Sequence, residues 1–214
     1  MRSRLLYLAR FALVVVASFL TLKGGFLLLV PAEGSLSMGD VFAVLYHGLS
    51  LDLSVLGYLI VVPLLIVAVS CCFRSVAART ILRPYHLLVA LVISVVGVVD
   101  MRLYPFWGFK LDASIFLYLD RPGEAFASVS LPFILLSVLL VLAFALAVGF
   151  ALERTTEKHW PPIRRGWLYV LPLLSLLAPT VLLIRGGVSK ATANVGQVYF
   201  SDRQYLNHAA VNPL

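Results

Sequence analysis

Residues 131–152 read LPFILLSVLLVLAFALAVGFAL and carry no charged side chain. The hydrocarbon core of a bilayer is about 30 Å thick, and a helix needs roughly 20 apolar residues to cross it. Lipid offers the backbone no hydrogen-bond partners, so such a segment must satisfy its own N–H and C=O groups as a helix. Four more stretches meet the same requirement, at about 11–30, 53–73, 81–99 and 167–184. Lys23 interrupts the first, an amphipathic extension from Val41 precedes the second, and Pro172 and Pro179 lie in the fifth. The whole chain of 214 residues agrees with this reading, being 61% hydrophobic and only 13% charged. A soluble domain runs nearer to about 45–50% apolar and about 25% charged, so a soluble globule is excluded. With 14 Gly, 11 Pro and 2 Cys, so are collagen, disorder and a disulfide scaffold. The period-two alternation of a porin-like barrel is absent. The expected fold is an all-α membrane protein, a bundle of five transmembrane helices.

The net charge of +7 has a direction. Arg2, Arg4, Arg10, Arg74, Arg79, Arg83, Arg154, Lys158, Arg164 and Arg165 all fall at the same ends of the spans, ten of the seventeen cations. The positive-inside rule then places the N-terminus in the cytoplasm and, after five spans, the C-terminus outside a cell (inner) membrane. The basic surplus faces anionic lipid, and nucleic acid has no part in the reading. The first apolar run is too long for a signal peptide, and Lys23-Gly24-Gly25 stands where a cleavage site would be. Cys71 and Cys72 are adjacent at the cytoplasmic end of the second span, where they read as inert small hydrophobes. Trp160-Pro161-Pro162 reads as a stiff interfacial turn.

Residues 101–130 are too apolar for a solvated loop. Asp112 reads as an N-cap, after which Ile115, Phe116 and Leu119 share a helix face that Pro122 ends. Tyr104, Phe106, Trp107, Phe109 and Tyr118 suit the headgroup level, so short interfacial helices are expected on the outer face. After Ile184, residues 185–196 read as a linker, and Ser201 with Gln204 as a capping box for a short helix reaching about Ala210. Residues 185–214 thus look like the extracytoplasmic lead into a further domain.

No complete catalytic constellation is present. His47, His86, His159 and His208 fall on different segments, and a metal site needs three or four converging ligands. The chemically interesting residues are ionisable groups near the outer surface: Lys23, Asp52, Asp100, Arg102, Lys110 and Asp112. Tyr46, Ser50, Ser54 and Tyr58 form a polar stripe that includes His47, with Asp52 on another face. A charge at mid-bilayer costs about 2.5–3.5 kcal/mol on insertion scales, so such groups are paired or functional. Two readings stand: Lys23, Asp52, Asp100 and Arg102 pair among themselves and fix helix register, or the group lines a groove for a lipid headgroup. Proton or ion conduction is disfavoured, since no chain of acidic residues crosses the bilayer.

Three blocks carry a family likeness: Tyr46-His47-Gly48-Leu49-Ser50-Leu51-Asp52-Leu53-Ser54; Leu103-Tyr104-Pro105-Phe106-Trp107-Gly108-Phe109-Lys110-Leu111-Asp112; and Asn194-Val195-Gly196-Gln197-Val198-Tyr199-Phe200-Ser201 continuing through Leu206-Asn207-His208-Ala209-Ala210-Val211-Asn212-Pro213. They resemble the membrane part of the lipoteichoic acid synthase family, in the sulfatase and alkaline phosphatase superfamily. The resemblance implies an external hydrolase-like domain after the fifth span, with a threonine nucleophile and a divalent metal, commonly manganese. Such a domain moves a phosphoglycerol or phosphoethanolamine-type group from a membrane phospholipid to an acceptor. None of its catalytic residues or metal ligands lies in this chain, so none is carried over, and no cofactor is expected within residues 1–214. The resemblance gives the chain the role of membrane anchor and presenter of lipid, with His47, Asp52, Arg102 and Lys110 near the headgroup. Tyr199, Asn207, His208 and Asn212 would dock the external domain, or the tail is an ordinary capped surface helix. The alternative is a stand-alone, non-catalytic membrane scaffold or small transporter.

Overall fold

The computed structural model describes residues 1–31, 34–73, 76–112, 130–188 and 192–214. Among these the regular elements are all helical: α1 (Arg2–Leu29), α2 (Met38–Ser70), α3 (Ala78–Trp107), α4 (Leu131–Thr155), a 3-10 turn (Gly166–Tyr169), α5 (Val170–Ser175), α6 (Leu177–Arg185), a second 3-10 turn (Val195–Val198) and α7 (Gln204–Ala210). Five helical segments are long and apolar enough to cross a membrane, the fifth being Gly166–Arg185.

The helices outrun the apolar windows that announce them. Ser37 caps α2: its hydroxyl accepts from Asp40 N (3.1 Å), and Asp40 Oδ2 accepts from Ser37 N (2.9 Å). This capping box starts the helix before the amphipathic stretch from Val41. α3 runs past Asp100 to Trp107 and stops at Gly108, whose φ of +70° suits a residue without a β-carbon. The first part of the expected interfacial segment is therefore the end of α3. The rest, with Ile115, Phe116, Tyr118, Leu119 and Pro122, lies outside the described residues. The fifth segment breaks at Leu176. Pro179 has no N–H to give the Ser175 carbonyl, which removes one rung of the helix at that place.

α1 lies at the centre of the packing. α3 and α4 pack on one side of it, α4 also being held by α3, and α2 packs on the other side with α5 and α6 beyond. Close approaches need glycine at two of these seams. A β-carbon on Gly97 would strike Leu22, and one on Gly166 would occupy the place of the Cys71 carbonyl oxygen. Only 11% of the most apolar window of α4 is buried. Leu131, Leu135, Leu139, Leu142, Leu146 and Phe150 are instead exposed, a continuous greasy face that water would penalise.

The bundle has two chemically distinct ends. The basic end gathers the N-terminus, residues 71–73 and 76–77, and residues 156–165. Here Arg4 is fully buried, its Nε donating to Ser70 Oγ (2.9 Å), one terminal nitrogen to Ser70 O (3.2 Å) and the other to Pro161 O (3.1 Å). Trp160, expected as an interfacial turn residue, is instead wholly buried. Its backbone N–H donates to Val76 O (3.0 Å), and its ring lies under the Arg4 guanidinium (5.2 Å) and beside Tyr7 (5.7 Å). Its neighbours 157–159 and 161–162 stay exposed, so Trp160 alone of this stretch enters the bundle. Cys71 is a buried free thiol and Cys72 an exposed one.

The other end carries the tail. Residues 195–212 turn back onto the bundle, and Val198, Leu206, Ala209, Ala210 and Val211 join Phe26, Val44 and Met101 in a second apolar core. The expected capping box at Ser201 does not form. Helix α7 begins only at Gln204, so Gln204 is too early in the helix to reach back. Asn207 does that work: its Oδ1 accepts from Phe200 N and Ser201 N (both 2.9 Å), and its Nδ2 donates to Ser201 O (2.7 Å). Arg203 adds an ion pair to Asp40 at the start of α2 (2.5 Å).

Candidate functional site

The tail closes over a buried group of charges. Lys23 on α1 donates from Nζ to Asp52 Oδ2 on α2 (2.6 Å), the two side chains being 5% and 0% exposed. The second Asp52 oxygen accepts from Asn212 Nδ2 of the tail (2.9 Å). Close by, Asp100 on α3 pairs with Lys110 and takes the Leu111 backbone N–H on its other oxygen (2.7 Å). The turn at Gly108 makes this possible, bringing residues 110 and 111 back alongside the end of their own helix. The Lys110 ammonium also sits 4.5 Å from the centre of the Phe26 ring. Together these groups border a cavity of about 20 Å³, shared with Phe19 and Met101, which is room for about one water molecule.

Two ammonium groups and two carboxylates leave the cluster neutral. Each ion is matched, and the second oxygen of each carboxylate is satisfied by an amide N–H. Such a group fixes how helices meet. The four charges cancel, and the cavity beside them is small. Asn212 links it to the tail by a hydrogen bond, so the cluster ties the chain after α6 to the first two helices.

Among the sequence-derived candidates, Lys23, Asp52, Asp100, Lys110 and Asn212 meet here. Arg102 does not. Two residues along a helix is a rotation of about 200°, so Arg102 faces away from Asp100. Its Nε donates to Ser137 Oγ on α4 (3.1 Å), and its guanidinium lies 4.0 Å over Phe133. The expected pairing within Lys23, Asp52, Asp100 and Arg102 is thus corrected: Lys110 takes the place of Arg102. His47 also stands apart, stacked on Phe200 of the tail (4.5 Å, 6° between planes) with Tyr46 edge-on. The Tyr46–Tyr58 stripe divides: both tyrosines are exposed, whereas the Ser54 hydroxyl donates to Ile184 O (2.7 Å) and holds α6. Asp112 is exposed at the edge of the described segment. Asn207 and His208 are buried, while Tyr199 is half-exposed.

Sequence reading missed Gly48. A β-carbon there would overlap Lys23 Nζ and the Ala210 carbonyl oxygen, so the tail backbone rests on this glycine. Gly48→Val is expected to unseat the tail. Overpacking costs about 1–3 kcal/mol, so the amides of 204–212 should exchange roughly tenfold faster or more, with α4 amides unchanged. Unaltered exchange in the tail would contradict its seating on Gly48.

His208 sits between the Tyr104 hydroxyl at Nδ1 (2.9 Å) and the Gln204 side chain at Nε2 (3.3 Å). Burial holds its imidazole below the usual range and Lys110 adds to this, with Asp100 opposing. A released tail therefore binds a proton more readily than a seated one. Seating should weaken as pH falls below about 6.5, and His208→Gln should remove that dependence. Hydrogen exchange of 204–212 at several pH values checks both.

Among the described residues no three His, Cys, Asp or Glu side chains come together as a metal site. No family model, curated protein or solved structure matches the chain.

Proposed function

We propose that the five apolar segments cross a bilayer with the basic end in the cytoplasm, and that the chain is the membrane module of an enzyme acting on phospholipid outside it. The observation that carries this reading is the tail clamped to the outer end of α1 and α2 through Asn212, Asp52 and Lys23. An anchor needs one span and a loose linker. A linker locked to the bundle gives whatever follows it a fixed height and orientation over the lipid surface. The exposed apolar face of α4, the charge asymmetry and the resemblance to lipoteichoic acid synthases support the same reading. In it, a following sulfatase-like, manganese-dependent domain transfers a phosphoglycerol or phosphoethanolamine-type group.

In this reading Arg102 is the residue for the headgroup. Lys23 and Lys110 are each committed to a carboxylate, and Arg203 to Asp40. Arg102 is half-buried between α3 and α4, and its described partners are a hydroxyl and an aromatic ring. A guanidinium keeps further donors for a phosphate in that setting. The test is transfer from labelled phospholipid by the complete gene product with added manganese. Arg102→Ala should lower transfer about tenfold or more and spare hydrolysis of a soluble phosphodiester. Equal loss on both substrates would remove Arg102 from the headgroup site, and no transfer from any phospholipid would remove the enzyme reading.

A further inference from the structure

At the basic end, far from the tail, a second polar group is built into the bundle with a deliberate gap in it. His86 on α3 has no exposed surface. Its Nε2 meets the hydroxyl of Tyr7 on α1 (3.1 Å), itself buried. Its Nδ1 faces Glu153 Oε1 on α4 at 3.7 Å, too far for a hydrogen bond. Both of these facing atoms are buried, and neither has a hydrogen-bond partner among the described residues. A histidine that merely filled the core would have both ring nitrogens satisfied. Glu153 also stands in the last turn of α4, where the helix dipole disfavours a carboxylate.

We propose that Tyr7, His86 and Glu153 form a proton-binding site that couples α3 to α1 and α4. The carboxylate of Glu153 is 24% exposed and connects the buried imidazole to solvent. A proton arriving there from hydronium, which leaves as water, passes to His86 Nδ1. The resulting imidazolium donates to Glu153 on one side and to the Tyr7 oxygen on the other, a hydroxyl able to donate or accept. A charge-assisted bond closes the 3.7 Å gap by about 1 Å, drawing α4 toward α3. No bond other than those to the proton is made or broken.

The surroundings give the carboxylate this role. On α1, Arg4 lies one turn from Tyr7 and holds the Trp160 loop. On α3, Arg79 donates to Thr156 O (3.0 Å) and Tyr85 to Leu59 O (2.5 Å). The two arginines oppose a further positive charge nearby, and Glu153 is the negative group facing His86. Toward the other end the site is closed: Phe11 stacks on the His86 ring (6.0 Å). Asp100, the next titratable group along α3, lies fourteen residues or about 21 Å away. The site therefore binds a proton at equilibrium and does not conduct one.

Trp160 reports on it, its ring being 5.7 Å from that of Tyr7. The experiment uses the full chain in lipid nanodiscs, with Trp107→Phe, Trp167→Phe and His159→Gln, so that one indole remains and its neighbouring histidine is removed. Trp160 emission should follow a single-proton transition between about pH 4 and pH 8. Glu153→Gln should lower the proton affinity at least tenfold, shifting or abolishing the transition, and His86→Gln should abolish it. The Glu153 variant keeps the shape of a partly exposed side chain, so it decides the matter even if the His86 variant does not fold. A flat titration, or one that Glu153→Gln leaves unmoved, would overturn the proposal. Neither outcome bears on phospholipid transfer.

Discussion

Asp52→Ala is expected to destabilise the bundle by about 3–5 kcal/mol, the cost of leaving a buried ion without its partner. Lys23 is then the orphan, an ammonium whose side chain is only 5% exposed. Asn212 loses its acceptor in the same step, so the tail should loosen too. The effect reads out as a lower denaturant midpoint in mixed micelles and faster exchange of residues 204–212. Lys23→Met combined with Asp52→Leu should recover most of the loss, because removing both ions of a buried pair removes the desolvation they each suffer. A charge swap, Lys23→Asp with Asp52→Lys, should do better than either single reversal. Reversing Arg102 should rescue nothing, since it faces α4. Rescue by Arg102 would place it, and not Lys110, in the ion cluster.

Trp160→Ala is the second large effect, about 3–5 kcal/mol for a wholly buried indole. The loss is more than apolar area. The indole covers Arg4, and the loop that carries it also supplies the Pro161 carbonyl to that guanidinium. Removing the ring opens a void beside a buried cation. Trypsin should then cut readily after Lys158, Arg164 or Arg165. Trp167→Ala makes the control, because Trp167 is 67% exposed and should change stability by no more than about 0.5 kcal/mol. Equal effects of the two substitutions would mean that Trp160 is not packed inside.

The helices were legible because a charge-free run such as 131–152 leaves the backbone no alternative. Their ends were less so, since they depend on local devices. The Ser37–Asp40 box was in plain view, yet the apolar window drew attention to Val41. Partners of the charges were harder, because they depend on how each helix is rotated. The spacing of Asp100 and Arg102 does show that the two face different ways. What it does not show is that Gly108 folds Lys110 back to Asp100. The partner of Asn212 carries no local signal: an amide beside a proline reads as a stop, and its bond to Asp52 spans 160 positions. His86 and Glu153 are silent for the same reason, since they lie on different helices that only packing brings together.

With an odd number of crossings, the tail and the basic end should lie on opposite faces of the membrane. The chain carries half of the assay, with Cys72 exposed at the basic end and Cys71 buried. Leu214→Cys in a Cys72→Ser background supplies the other half, at a position 37% exposed. A membrane-impermeant maleimide applied to intact cells should label the cysteine at 214 of that variant and leave Cys72 of the unaltered chain untouched, and inside-out vesicles should give the reverse. Labelling of both from the same side would contradict five crossings, and with them an outward-facing tail.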